Sequence, residues 1–503
     1  MQVADTLTAR TTRAARWRIG GAIVGAGLQF GVGVLLARLL APADFGVVAL
    51  AYVVLGLARP VCDVGIGDAI VQRQELTHRH VRTAATFSML MGIAVASVLV
   101  VLAPALASMM RDARVVPVLR VLSFALAIRS SAIVSDAMLR RQLAFKRQVV
   151  IETSSYVVGY GCVAVGLALF GYGVWSLVWG ALAETLLSSI AQIAIVRHDM
   201  RPMLVRQELD QLLGFGAGAT MSTWANYVAL NSDYFVVGRS LGAASLGLYV
   251  RAYTLMKLPH TYVASALSRV MFPAFASVQT EPVRLRRGYL LLTEVVTIVA
   301  APSMTVLAVV APHFVRGVYG SQWIGAVVPL QVLCLGGYLR SLYHPAAIVA
   351  QSVGQVYQEL WREVIYAGLV IAGAAIGSRY GLAGVAAGVS AAIVYMFVAC
   401  GHLALRATGA TWAEYFRAQR GGLFAAVAAA GVALSTRLLL EASGASSGAI
   451  ALAVLAAAAV PWTASLVRLL ARPDCEPLRE WLPTWGARFV QTLSQRRAIG
   501  QEP

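Results

Sequence analysis

The chain has 503 residues, of which 59% are hydrophobic and 13% are charged, and its formal net charge is +18 at pH 7. A water-soluble fold has no place for this much apolar surface, so the composition predicts a protein that crosses a membrane several times. The basic excess does not indicate a nucleic-acid-binding protein, because no basic segment is embedded in a globular domain.

Apolar stretches long enough to cross a bilayer recur along the whole chain. Such a helix needs roughly 20 mostly apolar residues. Fourteen stretches qualify and predict an all-α polytopic membrane protein: 18–40, 45–63, 84–110, 115–137, 149–171, 174–196, 212–238, 246–276, 288–312, 324–350, 358–378, 382–405, 421–439 and 448–470. Pro259, near the middle of the longest stretch, predicts a kink within one span rather than two spans.

Basic residues between the spans fall in alternate connections. With the N-terminus in the cytoplasm, 27 arginines and lysines lie in cytoplasmic segments and 6 lie on the opposite side. The positive-inside rule therefore predicts that both termini are cytoplasmic and that the number of spans is even. The basic N-terminal segment leads into a span of full length, so we expect a retained first helix rather than a cleaved signal peptide.

An internal repeat relates the two halves of the chain. Residues 37–46 align with residues 238–247, and Ala51-Tyr52 aligns with Ala252-Tyr253, at one constant offset of 201. A weaker match relates the segment ending at Arg129-Ser130 to the segment ending at Arg340-Ser341. Two copies in the same membrane orientation predict two six-helix lobes about a pseudo-twofold axis along the membrane normal, with a cavity between them.

The repeat and the spans together predict the domain organisation. The parts are a cytoplasmic N-terminus (1–17), an N-lobe of helices 1 to 6 (18–196), a cytoplasmic linker (197–211), a C-lobe of helices 7 to 12 (212–405), helices 13 and 14 (421–470) and a basic cytoplasmic tail (471–503). The tail is either an amphipathic segment on the inner leaflet or a solvated extension, and its sequence leaves both interpretations open.

Four basic residues within the spans are candidates for binding an anion. A charge at the bilayer centre costs at least ~2.5–3.5 kcal/mol, so such a residue normally faces a cavity or a partner. Arg129 and Arg340 occupy repeat-equivalent places, and Lys257 lies about 11 residues, or ~16 Å, into its span. Arg251, on the same span, completes the set. Ion pairing with membrane carboxylates is the alternative. For Arg59, near a span end, we expect the side chain to reach the interface.

Three carboxylates within the spans are candidates for coupling transport to H⁺ or Na⁺. They are Asp136, Glu152 and Asp233. Each is equally compatible with a static counter-ion. Asp233 lies toward the outer end of its span, which favours a role at the helix end.

Motifs of soluble catalysis are missing from the sequence. It has no phosphate-binding Gly-x-x-x-x-Gly-Lys-Ser/Thr and no His-Glu-x-x-His. Its five cysteines are unclustered, so they predict neither a metal site nor a disulfide framework. We therefore expect a transporter without a cofactor rather than an enzyme.

Several blocks resemble one family of membrane transporters. The first comprises residues 39–46 and 63–73 with Leu76-Thr77, and further blocks lie at 231–239, 246–253, 272–275 and 319–323. Over about residues 10–400 the chain resembles the Wzx-type flippases of oligosaccharides and lipopolysaccharides, in the multidrug/oligosaccharidyl-lipid/polysaccharide exporter superfamily. The family has no fixed substrate motif, and for residues 63–73 we favour a structural role, in which Gly65 and Gly67 end a helix.

The resemblance implies the function. It implies two lobes that work by alternating access in the bacterial inner membrane. It also implies a substrate, undecaprenyl-pyrophosphate-linked oligosaccharide, that moves from the cytoplasmic to the periplasmic leaflet during exopolysaccharide or lipopolysaccharide synthesis. Lipids and the polymerase and chain-length machinery are the expected partners. The alternatives are an ion-coupled drug antiporter of the same superfamily, a membrane enzyme of polysaccharide assembly and a lipid II flippase.

Overall fold

The computed structural model describes residues 20–21, 24–73, 75–197 and 201–471. Every regular element in these ranges is helical, which confirms the all-α prediction. The predicted N-terminal segment and the basic tail fall almost wholly outside the described residues.

The helices follow one another with short connections. The first nine are α1 (Val24–Leu39), α2 (Pro42–Asp63), α3 (Ile66–Gln72), α4 (His78–Met110), α5 (Val115–Arg141), α6 (Phe145–Tyr156), α7 (Val165–Leu169), α8 (Val174–Val196) and α9 (Arg206–Met256). The others are α10 (Ser265–Ser277), α11 (Pro282–Phe314), α12 (Val327–Ser352), α13 (Val356–Gly377), α14 (Gly381–Thr408), α15 (Trp412–Ala442) and α16 (Ser447–Leu470). Wider helical turns at Val157–Ala164 join α6 to α7 in one rod.

Ten helical stretches in the described part are long and apolar enough to cross a membrane. One of them, Gln358–Thr408, contains two predicted spans, because α13 and α14 follow each other after three residues of tighter helix. The described part of the first predicted span is the shorter apolar helix α1. The chain is therefore a multi-pass membrane protein, and the count of fourteen stays a prediction.

The span predicted at 246–276 is interrupted where proline was expected to act. Helix α9 ends at Met256, wider turns occupy His260–Ala264, and α10 begins at Ser265. Pro259 has no amide hydrogen and its ring crowds the preceding turn, so a regular ladder cannot pass through it. This confirms the predicted kink, and it places Lys257 at the interruption.

Chain contacts divide the molecule into two compact units, Met1–Val250 and Arg251–Pro503. In the first unit α5 packs against α2, α3, α4 and α8. In the second unit α11 packs against α12, α15 and α16, while α14 packs against α12 and α13. The predicted lobe limits stay a prediction.

Helix α9 is two helices joined by a single residue. Gly242 has φ 85° and ψ 170°, a conformation that only glycine adopts readily. In a straight helix Asp233 and Tyr249 would lie about 24 Å apart. Instead the Tyr249 hydroxyl donates a hydrogen bond to Asp233 at 2.8 Å. The two parts therefore form a hairpin that this buried bond holds closed.

The two copies of the repeated motif contact each other within the first unit. A Cβ on Gly46 would overlap the carbonyl oxygen of Ala243, and a Cβ on Gly247 would overlap the carbonyl oxygen of Pro42. Gly247 and Ala243 are the repeat equivalents of Gly46 and Pro42, at the offset of 201. The contact is thus reciprocal, as a twofold axis requires, and it supports the predicted repeat.

Candidate functional site

One stripe along α2 bears polar side chains, although the helix as a whole is apolar. Tyr52, Gly56, Arg59 and Asp63 follow the spacing i, i+4, i+7 and i+11, so they share one face of the helix. Tyr52 and Arg59 are exposed on that face. An exposed guanidinium is costly in hydrocarbon, which indicates that this stripe borders water rather than lipid tails.

Charges from α5 and α8 lie within electrostatic range of the stripe. Arg129 on α5 interacts electrostatically with Arg59 and Asp63. It also interacts electrostatically with Glu184 of α8. Arg129 is exposed like Arg59, and Glu184 is half-buried. We call Tyr52, Arg59, Asp63, Arg129 and Glu184 the polar face of the first unit.

Arg59 and Arg129 are the two arginines of the polar face. In the described part of the chain, neither the Arg59 nor the Arg129 guanidinium makes a hydrogen bond or an ion pair. They are close enough to repel each other, and their carboxylate neighbours act on them only at longer range. Two guanidiniums with free donors on a wet face are suited to binding a phosphate group.

The second unit brings two of the predicted residues together around one tyrosine. Arg340 is only 4% exposed, and its Nη1 donates to the Tyr253 hydroxyl at 3.1 Å. The Lys257 Nζ lies 4.4 Å from the centroid of the same ring. The rings of His260 and His344 lie with their centroids 4.9 Å apart. They border this cluster, since both Arg340 and Lys257 interact electrostatically with His260.

The repeat-equivalent arginines therefore have different surroundings. Arg129 is open to water, whereas Arg340 is buried and hydrogen-bonded. Burial of a guanidinium requires hydrogen-bond partners, which Tyr253 provides in part. The geometry favours Arg129 for contact with a ligand and Arg340 for support of the fold.

Arg251 contacts a different group of side chains. Its guanidinium carbon lies 5.8 Å from the ring centroids of both Tyr319 and Trp323. Trp323 is fully buried. These cation–π contacts tie the helix of Arg251 to residues 319–323, which belong to one of the blocks that carried the family resemblance.

Two of the three candidate coupling carboxylates have close partners. Asp136 forms an ion pair with Arg140, with 3.1 Å between nitrogen and oxygen, and accepts a hydrogen bond from Gln148 at 3.1 Å. Asp233 is 1% exposed and closes the hairpin of α9, as described above. These contacts favour static roles for both. Glu152 is exposed on α6 and acts on Glu184 of the polar face.

The block at residues 63–73 shapes a turn. Val64 and Gly65 are left-handed, with φ 42° and 70°, and they separate α2 from α3. Arg140 also pairs with Asp68 at 3.0 Å, so α5 holds α3 in place. This geometry favours a structural role for the block, but the prediction that Gly67 ends a helix is wrong, because Gly67 lies inside α3.

Arg59 lies on the polar face, although it was not among the predicted site residues. Its position near the end of a span suggested a side chain that reaches the interface. The signal that places it in the site is its spacing of seven residues from Tyr52, which puts both on one helix face. For a metal, the described residues contain no group of three histidine, cysteine or acidic side chains arranged as ligands.

Comparison with solved structures identifies the fold. The fold resembles that of the lipid II flippase MurJ in an inward closed conformation, with a TM-score of 0.71 and 14% identity over 89% of this chain and 98% of that one. It also resembles an inward-facing multidrug transporter of the MATE family, with a TM-score of 0.62 and 17% identity over 76% and 94% of the two chains. The fold is that of a multi-span transporter.

Sequence comparison identifies the family. Residues 35–328 match the family described as "Polysaccharide biosynthesis protein", and the chain belongs to it. The lipopolysaccharide biosynthesis protein WzxC of Escherichia coli K12 is 28% identical over 70% of this chain and 72% of its own. The succinoglycan biosynthesis transport protein ExoT of Rhizobium meliloti 1021 is 29% identical over 74% and 76%. The chain is thus a Wzx-type membrane transporter and not an enzyme, which confirms the predicted resemblance.

Proposed function

We propose that this protein flips undecaprenyl-pyrophosphate-linked oligosaccharide repeat units from the cytoplasmic to the periplasmic leaflet by alternating access. The observation that carries the proposal is the pair of polar-face arginines, Arg59 and Arg129, which make no hydrogen bond or ion pair to any residue that the structure describes. A pyrophosphate needs fixed cations where water is scarce. Its sugars need a wet surface, and its lipid tail must stay in hydrocarbon.

The named relatives support this substrate class. WzxC and ExoT take their names from the synthesis or transport of surface polysaccharides, and MurJ is named as a flippase of lipid II. We further propose that the protein lies in the bacterial inner membrane with both termini in the cytoplasm, and that polymerase and chain-length proteins receive its product at the periplasmic leaflet. Coupling to H⁺ or Na⁺ through Asp136, Glu152 or Asp233 remains part of the proposal. Of these, Glu152 interacts electrostatically with Glu184 of the polar face, and Asp136 interacts with Arg59.

A deletion strain provides the first test. We expect lipid-linked oligosaccharide to accumulate facing the cytoplasm while surface polysaccharide disappears. Normal surface polymer together with greater toxicity of a cationic drug would instead establish the antiporter. Accumulation of peptidoglycan precursor would establish a lipid II flippase.

Complementation of that strain with variants tests the site. Arg59→Ala and Arg129→Ala should each reduce surface polysaccharide strongly at normal protein levels. Arg120→Ala is the matched control, because Arg120 is also exposed on α5 but lies nine residues from Arg129, on the opposite face of the helix. If both arginine variants restored polymer as well as the control does, the assignment of the pyrophosphate site would be wrong.

A further inference from the structure

Aromatic rings from the first part of α9 lie against the polar stripe of α2. The indole Nε1 of Trp224 donates to the carbonyl oxygen of Leu57 at 2.6 Å. The hydroxyl of Tyr227 donates to the carbonyl oxygen of Tyr52 at 2.9 Å. The Tyr227 ring occupies the space that a side chain at Gly56 would need, so it lies directly on the α2 backbone.

A second group of rings approaches α2 from the helix that contains α6 and α7. Tyr156 and Tyr160 are stacked, with ring centroids 5.2 Å apart. The Tyr160 hydroxyl lies 3.4 Å from that of Tyr52. We call the rings of Tyr52, Tyr160, Trp224 and Tyr227 the aromatic shelf.

The shelf borders the same wet space as the charges. Tyr52 shares its helix face with Arg59 and Asp63. Tyr227 lies within electrostatic range of Arg59, and Tyr52 and Tyr160 lie within range of Glu184. Rings that faced lipid tails would not be interleaved with exposed charges in this way.

Two of the rings are exposed although each makes a polar contact. Trp224 and Tyr52 are each 42% exposed; the Trp224 indole donates to the Leu57 carbonyl oxygen, and the Tyr52 hydroxyl lies 3.4 Å from that of Tyr160. A pyranose ring has an apolar C–H face and a rim of hydroxyl groups. Flat rings match the face, and neighbouring arginine and carboxylate groups match the rim. Because the rings are fixed before binding, little conformational entropy is lost when a ligand stacks on them.

We propose that the aromatic shelf binds the sugar residues of the lipid-linked substrate, next to the arginines that hold its pyrophosphate. This inference rests on the proposed function, since it assigns the second half of the same substrate. It makes Trp224 and Tyr52 determinants of affinity for the glycan and not for the lipid pyrophosphate.

Equilibrium binding to the purified full chain in lipid nanodiscs tests the inference with two probes. One probe is undecaprenyl pyrophosphate without sugar, and the other is the lipid-linked oligosaccharide fraction extracted from membranes of the deletion strain. The variants are Trp224→Leu and Tyr52→Leu, which remove a ring. Trp224→Phe keeps a ring but loses the bond to Leu57. Trp179→Leu is the control, because Trp179 is 48% exposed on α8 but lies about 140° around the helix from Glu184.

We expect Trp224→Leu and Tyr52→Leu to weaken binding of the glycolipid by about fivefold to tenfold, the usual range for one lost aromatic contact. Binding of the sugar-free probe should stay unchanged and Trp179→Leu should resemble the wild type, while Trp224→Phe, which keeps a ring but loses the bond that fixes it, should lie between the wild type and Trp224→Leu. If Trp224→Leu does not fold, Tyr52→Leu alone carries the test.

Two results would overturn the inference, and they differ in what else they overturn. In the first, the wild type binds both probes, and the ring-deleting variants either weaken binding of both probes equally or weaken binding of neither probe. The shelf would then not bind sugar, and the proposed function would stand. If the wild type bound neither probe, the proposed function would fail and this inference with it.

Discussion

Arg129→Ala and Arg340→Ala are expected to have different effects, although the sequence predicts that the two arginines occupy equivalent places in the repeat. The first should impair transport, and the second should weaken the fold. Arg129 is exposed and makes no direct bond in the described part of the chain, so its loss should leave the fold intact. Arg340 is 4% exposed and donates to Tyr253, so its loss should weaken the fold. Transport should fall in the first variant without a change in stability.

The size of the difference follows from the contacts. Substitution of an exposed side chain without partners changes the free energy of unfolding by roughly 0.5 kcal/mol or less. A hydrogen bond from a charged donor contributes about 1.5–3 kcal/mol, and truncation of a large buried side chain adds the cost of a cavity. Relief of repulsion with Lys257 offsets part of this, because both cations lie at one tyrosine. We therefore expect a loss of about 3 kcal/mol for Arg340→Ala.

The assay combines thermal unfolding of purified variants with surface polysaccharide in the complemented deletion strain. Arg340→Ala should show a lower melting temperature and a reduced amount of protein. The amount of surface polysaccharide in its strain should fall in proportion to the amount of protein. Arg129→Ala should melt like the wild type and yet support little polymer. If Arg129→Ala were as unstable as Arg340→Ala, or if Arg340→Ala were stable but inactive, the contrast drawn from burial would be refuted.

Three further predictions concern the packing and the charged groups. Gly46→Ala should destabilise the fold by ~1–3 kcal/mol, because the added Cβ overlaps the Ala243 carbonyl oxygen. Gly31→Ala is the control and should not destabilise the fold, because its added Cβ meets nothing within 4 Å. Equal melting temperatures of the two variants would contradict the close contact at Gly46. Asp136→Asn should retain transport if Asp136 is a static partner of Arg140, and loss of transport at normal stability would instead indicate ion coupling. The side-chain hydrogen bond from Arg114 holds the pKa of Asp112 below its usual range. Its stabilisation is therefore present above the unfolded pKa of about 3.9 and lost as the pH falls through the lower folded value. Because Arg114 is 60% exposed, we expect less than ~1 kcal/mol, and unfolding curves of Asp112→Asn between acid and neutral pH should lack this dependence.

Much of the architecture could be predicted from the sequence, because each helix carries its own signal. Apolar length, the arginine pattern and Pro259 predicted a multi-pass helical protein and the kink after Met256. The constant offset of 201 predicted a repeat, which the reciprocal contact of Gly46 and Gly247 supports. These signals are local, or they compare one segment with another, and they need no knowledge of which helices touch.

The candidate site was only partly predictable for the same reason. Depth in the membrane can be counted along a helix, so Arg129, Arg340 and Lys257 could be selected. Exposure depends on the neighbouring helices, and it separates the open Arg129 from the buried Arg340. Tyrosine and tryptophan are common at membrane interfaces, so nothing in the sequence alone marked Trp224 as a side chain held against α2.

The reciprocal contact between the two copies of the repeated motif is self-complementary, since each copy offers the other the same glycine and the same neighbouring carbonyl. Two separate chains of half the length can associate through such a surface without any new residue. Once the halves are joined, either one is free to change. Arg129 and Arg340 illustrate that freedom, because one stays open to water while the other has become part of the interior. The molecule thus keeps within one chain the kind of self-complementary contact that joins the subunits of a symmetric homodimer.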